Sequence, residues 1–154
     1  MNALNQLNEW TSRGRRFLKK TLQEQVIYIE AGMGLGISRL CIIFLPFRWI
    51  APRIGRHMAE FRDAPHPGDI PSIRLIGRAV NTMSRLLPWE CKCLAQALTA
   101  KAMLNRRNIG STLCLGVAKS EDRSIKAHAW VKTGSIVVTG EAGMSSYTIV
   151  STFS

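Results

Sequence analysis

Aromatic side chains are scarce in this chain of 154 residues, where Phe, Trp and Tyr together make up 7%. The sequence also contains no recognisable motif for reading a nucleic-acid groove. A nucleic-acid-binding domain is expected to show such a motif on top of its basic charge. Nucleic acid is therefore not among the partners that we expect, and no pattern typical of a cofactor site is present.

Acidic residues are few as well, with 10 Asp and Glu against 21 Lys and Arg, which gives a formal net charge of +11. The excess is not confined to a tail. Residues 1–62 hold 10 basic and 4 acidic residues, and residues 63–154 hold 11 and 6. A charge spread in this way favours ordinary solvated surface. The alternative is contact with an acidic protein or an anionic membrane face.

A secretory signal is not recognisable, because no apolar run follows a basic start. We therefore expect a cytoplasmic protein in which the four cysteines are reduced. Cys91 and Cys93 are too close for the usual zinc knuckle, and no second Cys/His pair stands at ligand spacing. No metal site is expected. The cysteines remain as core residues or as nucleophiles.

The most apolar stretch of the chain is 26–46, which is long enough to suggest a membrane span. Glu30 and Arg39 lie inside it, and charges at mid-span are costly. Three glycines weaken it further as a span. We favour a buried amphipathic helix, and peripheral membrane contact is the alternative.

The fold class follows from the order of the patterns. Residues 1–62 form an N-terminal helical region, a segment rich in Pro, Gly and Asp at 63–71 is a linker, and residues 72–154 form the core. Helical periodicity is present over 72–87 and 93–107. Strand patterns follow at 111–118, 126–132, 136–139 and 147–153. Helices first and hairpin-linked strands after them predict an α+β fold with an antiparallel sheet.

Cys93 and His128 are the residues that suggest chemistry. Cys93 stands at the predicted start of a helix, where unpaired backbone N–H groups and the positive end of the helix dipole favour a thiolate. His128 lies on a predicted strand between two alanines, and Trp130 shares its face. A Cys at a helix N-terminus facing a strand His is a papain-like arrangement. The alternatives are an ordinary core cysteine and a structural histidine.

Four short motifs carry a family resemblance: KCLAQAL at 92–98, MLNRRNI at 103–109, LGV at 115–117 and KAHAWV at 126–131. In this order they resemble the leader peptidase of lasso-peptide biosynthesis, a family of the transglutaminase-like (papain-related) superfamily. The resemblance spans about residues 85–153. It implies a cysteine protease that removes the leader from a ribosomally made precursor. Cys93 would be the nucleophile and His128 the base.

The resemblance leaves the third catalytic residue open. The family commonly places an Asp on the next strand to orient the imidazole, but this sequence has no Asp after Asp122. Glu141 stands near the expected place. It either orients His128 through a longer side chain or is a loop carboxylate without a role. Cys91 is the rival nucleophile, and the family-like Cys-Leu pair favours Cys93.

The resemblance also implies partners. A chain of this size resembles the family's split version, which acts with a separate leader-recognition protein and with a downstream lasso cyclase. The competing hypothesis is a non-catalytic basic adaptor that keeps the fold and binds an acidic protein. A reactive Cys93 thiol is expected only of the enzyme.

Overall fold

The structure is a computed structural model, and it describes residues 21–119 and 124–154. Four α-helices come first: α1 (Leu22–Phe44), α2 (Phe47–Ile54), α3 (Ile70–Leu86) and α4 (Cys93–Asn105). Four strands follow: β1 (Thr112–Lys119), β2 (Ile125–Thr133), β3 (Ile136–Thr139) and β4 (Thr148–Phe153). Short 3-10 helices lie at Pro67–Asp69 and Met144–Ser146.

The strands form one antiparallel sheet in the order β3-β2-β1-β4. Helix α4 contacts all of β1, β2 and β3, and α3 packs against β3, so the helices cover one face of the sheet. Most of the buried apolar residues form one core that includes Leu35 of α1, Ile76 of α3, Leu104 of α4 and Val131 of β2. The α+β class with an antiparallel sheet is confirmed.

Helix α1 begins with a capping box. The Thr21 hydroxyl accepts a hydrogen bond from the Glu24 backbone N–H, and the Glu24 carboxylate accepts one from the Thr21 N–H. This exchange satisfies two donors that a helix start otherwise leaves unpaired. The helix approaches α4 closely at Gly34, where an added Cβ would lie 2.6 Å from Cγ2 of Thr99. Ser38 and Thr99 share a hydrogen bond of 3.0 Å nearby.

Only one face of α1 is buried, by Tyr28, Ala31 and Leu35. The opposite face carries apolar side chains that are 52% to 79% exposed. We call this face the apolar stripe: Leu22, Val26, Ile29, Met33, Ile37, Leu40 and Phe44. The prediction of a buried amphipathic helix is therefore wrong for half of the helix, because the stripe-bearing face has no packing partner within the described residues. By length and composition alone, α1 is the one described helix that could cross a membrane.

The other boundaries of the sequence analysis compare closely with the structure. The helices predicted at 72–87 and 93–107 are confirmed as α3 and α4, and the four predicted strands are confirmed within one or two residues. Of the predicted helical region, residues 1–20 lie outside the described chain, and α1 and α2 occupy most of the remainder. The division into 1–62, 63–71 and 72–154 stays a prediction, although α1 shares its core with the later elements.

An ion pair fastens α1 to the end of α4. The Glu30 carboxylate contacts Arg107 Nη2 at 2.7 Å and Arg106 Nη2 at 2.6 Å, and the Glu30 side chain is only 14% exposed. Hydrogen bonding from Arg107 lowers the pKa of Glu30 below its ordinary 4.5 despite the opposing effect of burial, and the charges of both arginines add to this lowering. The charged form of Glu30 is therefore favoured more strongly in the folded chain than in the unfolded one.

We expect Glu30→Gln to lower the free energy of unfolding at neutral pH by about 1–3 kcal/mol, because two guanidinium groups lose their partner. Because folding lowers the pKa of Glu30, its carboxylate adds stability above the pKa of the unfolded chain. This stability is lost as the pH falls through the pKa of the folded chain. Urea titrations at several pH values measure the effect. The difference in the free energy of unfolding between variant and wild type should become smaller below pH 4.5.

The matched control is Glu90→Gln, whose carboxylate is 75% exposed and lies 3.9 Å from Lys92 Nζ. It should change stability by less than about 0.5 kcal/mol. Equal effects of the two substitutions would contradict the role assigned to Glu30.

Candidate active site

Cys93 is the first residue of α4, after an extended backbone at Lys92. Lys92 provides no side-chain cap and the first turn contains no acidic residue, so neither a capping side chain nor a carboxylate competes for this helix end. The free backbone N–H groups and the helix dipole create a positive potential there. The structure thus has Cys93 at a helix start, where the sequence analysis expected it, and its role as the nucleophile stays a prediction.

His128 lies in the middle of β2, directly opposite Gly116 of β1. Its Nε2 atom is 2.8 Å from the carbonyl oxygen of Gly140, just beyond the end of β3. A carbonyl oxygen can only accept, so Nε2 carries the proton in this hydrogen bond. In the neutral imidazole, Nδ1 is then the unprotonated nitrogen that can take a proton from another group.

Two aromatic rings lie against the imidazole. Trp130 stacks on His128 with ring centroids 5.8 Å apart and an interplanar angle of 26°. Tyr147 lies against it at 5.0 Å and 32°. The expected sharing of a face by His128 and Trp130 is therefore confirmed. A Cβ on Gly116 would stand 2.9 Å from both Trp130 and Tyr147, so this strand position has room only for glycine.

Cys93 and His128 line the same cavity, which has a volume of about 370 Å³. The remaining lining is apolar: Phe47, Leu94, Leu115, Gly116, Val117, Ala127, Ala129 and Val150. Larger cavities of about 620 and 760 Å³ lie elsewhere on the described chain, but neither is lined by both a cysteine and a histidine. We therefore take the smaller cavity as the candidate active site, on its chemistry rather than its size.

The other cysteines occupy different environments. Cys91 is 8% exposed, and burial raises the pKa of its thiol, which disfavours the nucleophilic thiolate. Its backbone carbonyl accepts a hydrogen bond of 2.8 Å from the Gln96 amide. Gln96 thus braces the segment that leads into Cys93. Burial likewise raises the pKa of Cys114 in the core, whereas Cys41 is half-buried and lines the cavity of about 620 Å³.

Glu141 lies apart from the cavity that contains Cys93 and His128. It is exposed and lines the polar groove of about 760 Å³ together with Arg74 and Arg78. Its role as the third catalytic residue stays a prediction, and the structure provides His128 with a different partner next to it, the Gly140 carbonyl. The sequence analysis did not identify Gly140, because every residue type has a backbone carbonyl oxygen and a sequence pattern cannot single one out.

The backbone geometry at Gly140 explains why this position is a glycine. Its φ of 79° is in the left-handed region that favours glycine. An added Cβ would lie 2.5 Å from the Ala129 carbonyl oxygen. The glycine that ends β3 thus lets the chain turn against β2 and brings its carbonyl to the imidazole.

No group of three or more His, Cys, Asp or Glu side chains within residues 21–119 and 124–154 is arranged to hold a metal ion. The polar groups of the candidate site are the Cys93 thiol, the His128 imidazole and the backbone N–H groups at the start of α4, which are groups of the kind used in acyl transfer.

Comparisons with known proteins give one match. The family model for the transglutaminase-like superfamily matches residues 41–152, which include α2 to β3, most of β4, and both Cys93 and His128. No curated protein and no solved structure matches the chain.

Proposed function

Since the chain belongs to the transglutaminase-like superfamily, we propose that it is a cysteine peptidase that removes the leader from a ribosomally made lasso-peptide precursor in the cytoplasm. The superfamily contains cysteine proteases and acyltransferases, which both form an acyl-enzyme on a cysteine. The observation that carries the proposal is the cavity lined by both Cys93 at a helix N-terminus and His128. The motifs at 92–98 and 126–131 support the leader peptidase within that superfamily.

The reaction follows from the tautomer of His128. Nδ1 takes the proton from the Cys93 thiol, and the thiolate attacks the carbonyl carbon of the scissile bond. In this proposal, backbone N–H groups at the start of α4 stabilise the oxyanion. The imidazolium then gives its proton to the leaving amine, so the core peptide departs with a free N-terminus.

The leader stays behind as a thioester on Cys93. His128 next removes a proton from water, and the resulting attack releases the leader as a carboxylate and regenerates the thiol. Throughout the cycle, the Gly140 carbonyl keeps Nε2 protonated and stabilises the positive charge that the ring carries between steps.

The lining of the cavity bears on the substrate. Its walls beside Cys93 and His128 contain aliphatic side chains and no charged one. Burial of a charged side chain there would be costly, whereas an uncharged side chain gains from the contact. We propose that an uncharged residue of the leader lies next to the scissile bond. A separate leader-recognition protein would hold the rest of the leader, and the lasso cyclase would take the released core peptide.

The test of this function is a cleavage assay. The purified chain, the leader-recognition protein and a precursor peptide are mixed, and the products are weighed by mass spectrometry. The proposal expects one cut that separates an intact leader from the core peptide. An intact precursor after prolonged incubation would favour the non-catalytic adaptor instead.

Glu141→Gln should cleave the precursor within about twofold of the wild-type rate, because the Gly140 carbonyl supplies the acceptor for His128 Nε2. The initial rate of leader release measures this. The ¹⁵N shifts of the imidazole give a second readout, since they should report a proton on Nε2 in both proteins. A loss of tenfold or more, with a changed tautomer, would assign the orienting role to Glu141.

A further inference from the structure

The apolar stripe of α1 is a surface that the proposed chemistry does not use. It extends for about 33 Å, given a rise of 1.5 Å per residue between Leu22 and Phe44. Its members recur every three or four residues and none of them carries a charge. Exposed apolar surface of this extent marks a site of interaction with a partner or a membrane.

Basic residues follow the stripe along the chain. The exposed residues Arg48, Arg53 and Arg56 lie within twelve positions of the end of α1. An apolar helix face that leads into a basic cluster matches the layers of an anionic bilayer, in which acyl chains lie beneath negative headgroups.

Aromatic residues mark the C-terminal end of the same surface. Phe44 is 74% exposed and Trp49, on α2, is 57% exposed. Trp is enriched at the headgroup level of membranes, because its ring is apolar and its indole N–H is polar. Trp49 lies close to Arg53, whose Nη1 donates a hydrogen bond of 2.8 Å to the Trp49 carbonyl oxygen.

The helix is tied to the domain along its other face, which argues against spanning. Glu30 is paired with Arg106 and Arg107, and Ser38 is hydrogen-bonded to Thr99. Insertion across a bilayer would break these contacts and place Glu30 and Arg39 in hydrocarbon. A helix fixed in this way can meet a membrane only along its free side.

We propose that the apolar stripe docks the protein on an anionic bilayer surface, with α1 lying in the plane of the interface. The side chains of the stripe enter the boundary between headgroups and acyl chains, and Arg48, Arg53 and Arg56 contact the headgroups. This docking is independent of the reaction at Cys93, so it can be measured without a substrate.

The test is co-sedimentation of the full chain with vesicles made of equal parts phosphatidylglycerol and phosphatidylcholine. The wild type should bind these vesicles, should bind vesicles of pure phosphatidylcholine far less, and should be released as salt rises. The triple variant Ile29→Gln, Met33→Gln, Leu40→Gln should bind at least about tenfold more weakly, since its apolar contact is lost. All three residues are more than half exposed, so the substitutions leave the core intact.

The matched control is Met58→Gln, Ile125→Gln, Ile149→Gln, which removes three exposed apolar side chains outside the stripe. It should bind the vesicles like the wild type. Failure of the wild type to bind, or wild-type binding by the stripe variant, would overturn the proposal. So would a solution dimer that only the stripe variant dissociates, because a second copy would then be the occupant of the stripe.

Discussion

Cys93→Ala should reduce the rate of leader removal by at least about a thousandfold, because the covalent route is lost and only binding and oxyanion stabilisation remain. Cys93 is half-buried at the start of α4 and packs against the edge of the core, and alanine keeps its Cβ, so the variant should fold normally. Time courses of precursor cleavage, with enzyme in excess over substrate, measure the loss without interference from product release.

Cys91→Ala is the control for this substitution, since it removes a thiol two residues away. Cys91 is buried and its pKa is raised, so it is a poor nucleophile, and its variant should cleave within a fewfold of the wild-type rate. An inactive Cys91→Ala beside an active Cys93→Ala would reverse the assignment of the nucleophile.

His128→Ala should reduce turnover about as far as Cys93→Ala does. Residues that act as one catalytic unit are not additive, so the double variant should be no slower than either single one. The alanine variant also loses the imidazolium that favours the thiolate, so Cys93 should react more slowly with iodoacetamide at neutral pH. Both rates are measured on the same preparations.

His66→Ala is the matched control, because His66 lies in the loop before α3 and its ring only accepts a hydrogen bond from the Gly68 N–H. It should leave both rates unchanged. Wild-type alkylation of Cys93 in His128→Ala would contradict the Cys93–His128 pair, even if turnover were lost.

The elements that place the nucleophile were predictable from local pattern. Pro88 ends one helix, and the apolar periodicity that resumes after Cys93 predicts the next, so the cysteine falls at a helix start. The alternation around His128 and the Gly134 turn predicted the hairpin β2–β3. These features depend on interactions between near neighbours in the chain, which a single sequence records.

The partner of His128 was not predictable in the same way. The search for a third residue led to Glu141, because only a side chain can be recognised by type. The structure brings the Gly140 carbonyl to Nε2, and a carbonyl oxygen is present in every residue. Its position depends on the register between β2 and β3, which shifts between Val131 and Lys132.

The sequence pattern likewise could not predict which face of α1 is buried. Apolar side chains point in all directions around this helix, so periodicity could not tell which face meets the core. The face that meets the core includes Leu35 and lies beside Gly34, where α1 comes close to Thr99 of α4. A long-range contact of this kind leaves no local signature.

The most direct measurement of the central claim is the order in which the four cysteines of the wild-type chain react with limiting iodoacetamide at neutral pH. Peptide mapping by mass spectrometry gives the fraction of each thiol that is modified. The account predicts that Cys93 is modified at least about tenfold faster than Cys41, Cys91 or Cys114, because it lies at a helix N-terminus and lines the same cavity as His128. Modification of Cys41 ahead of Cys93 would contradict it.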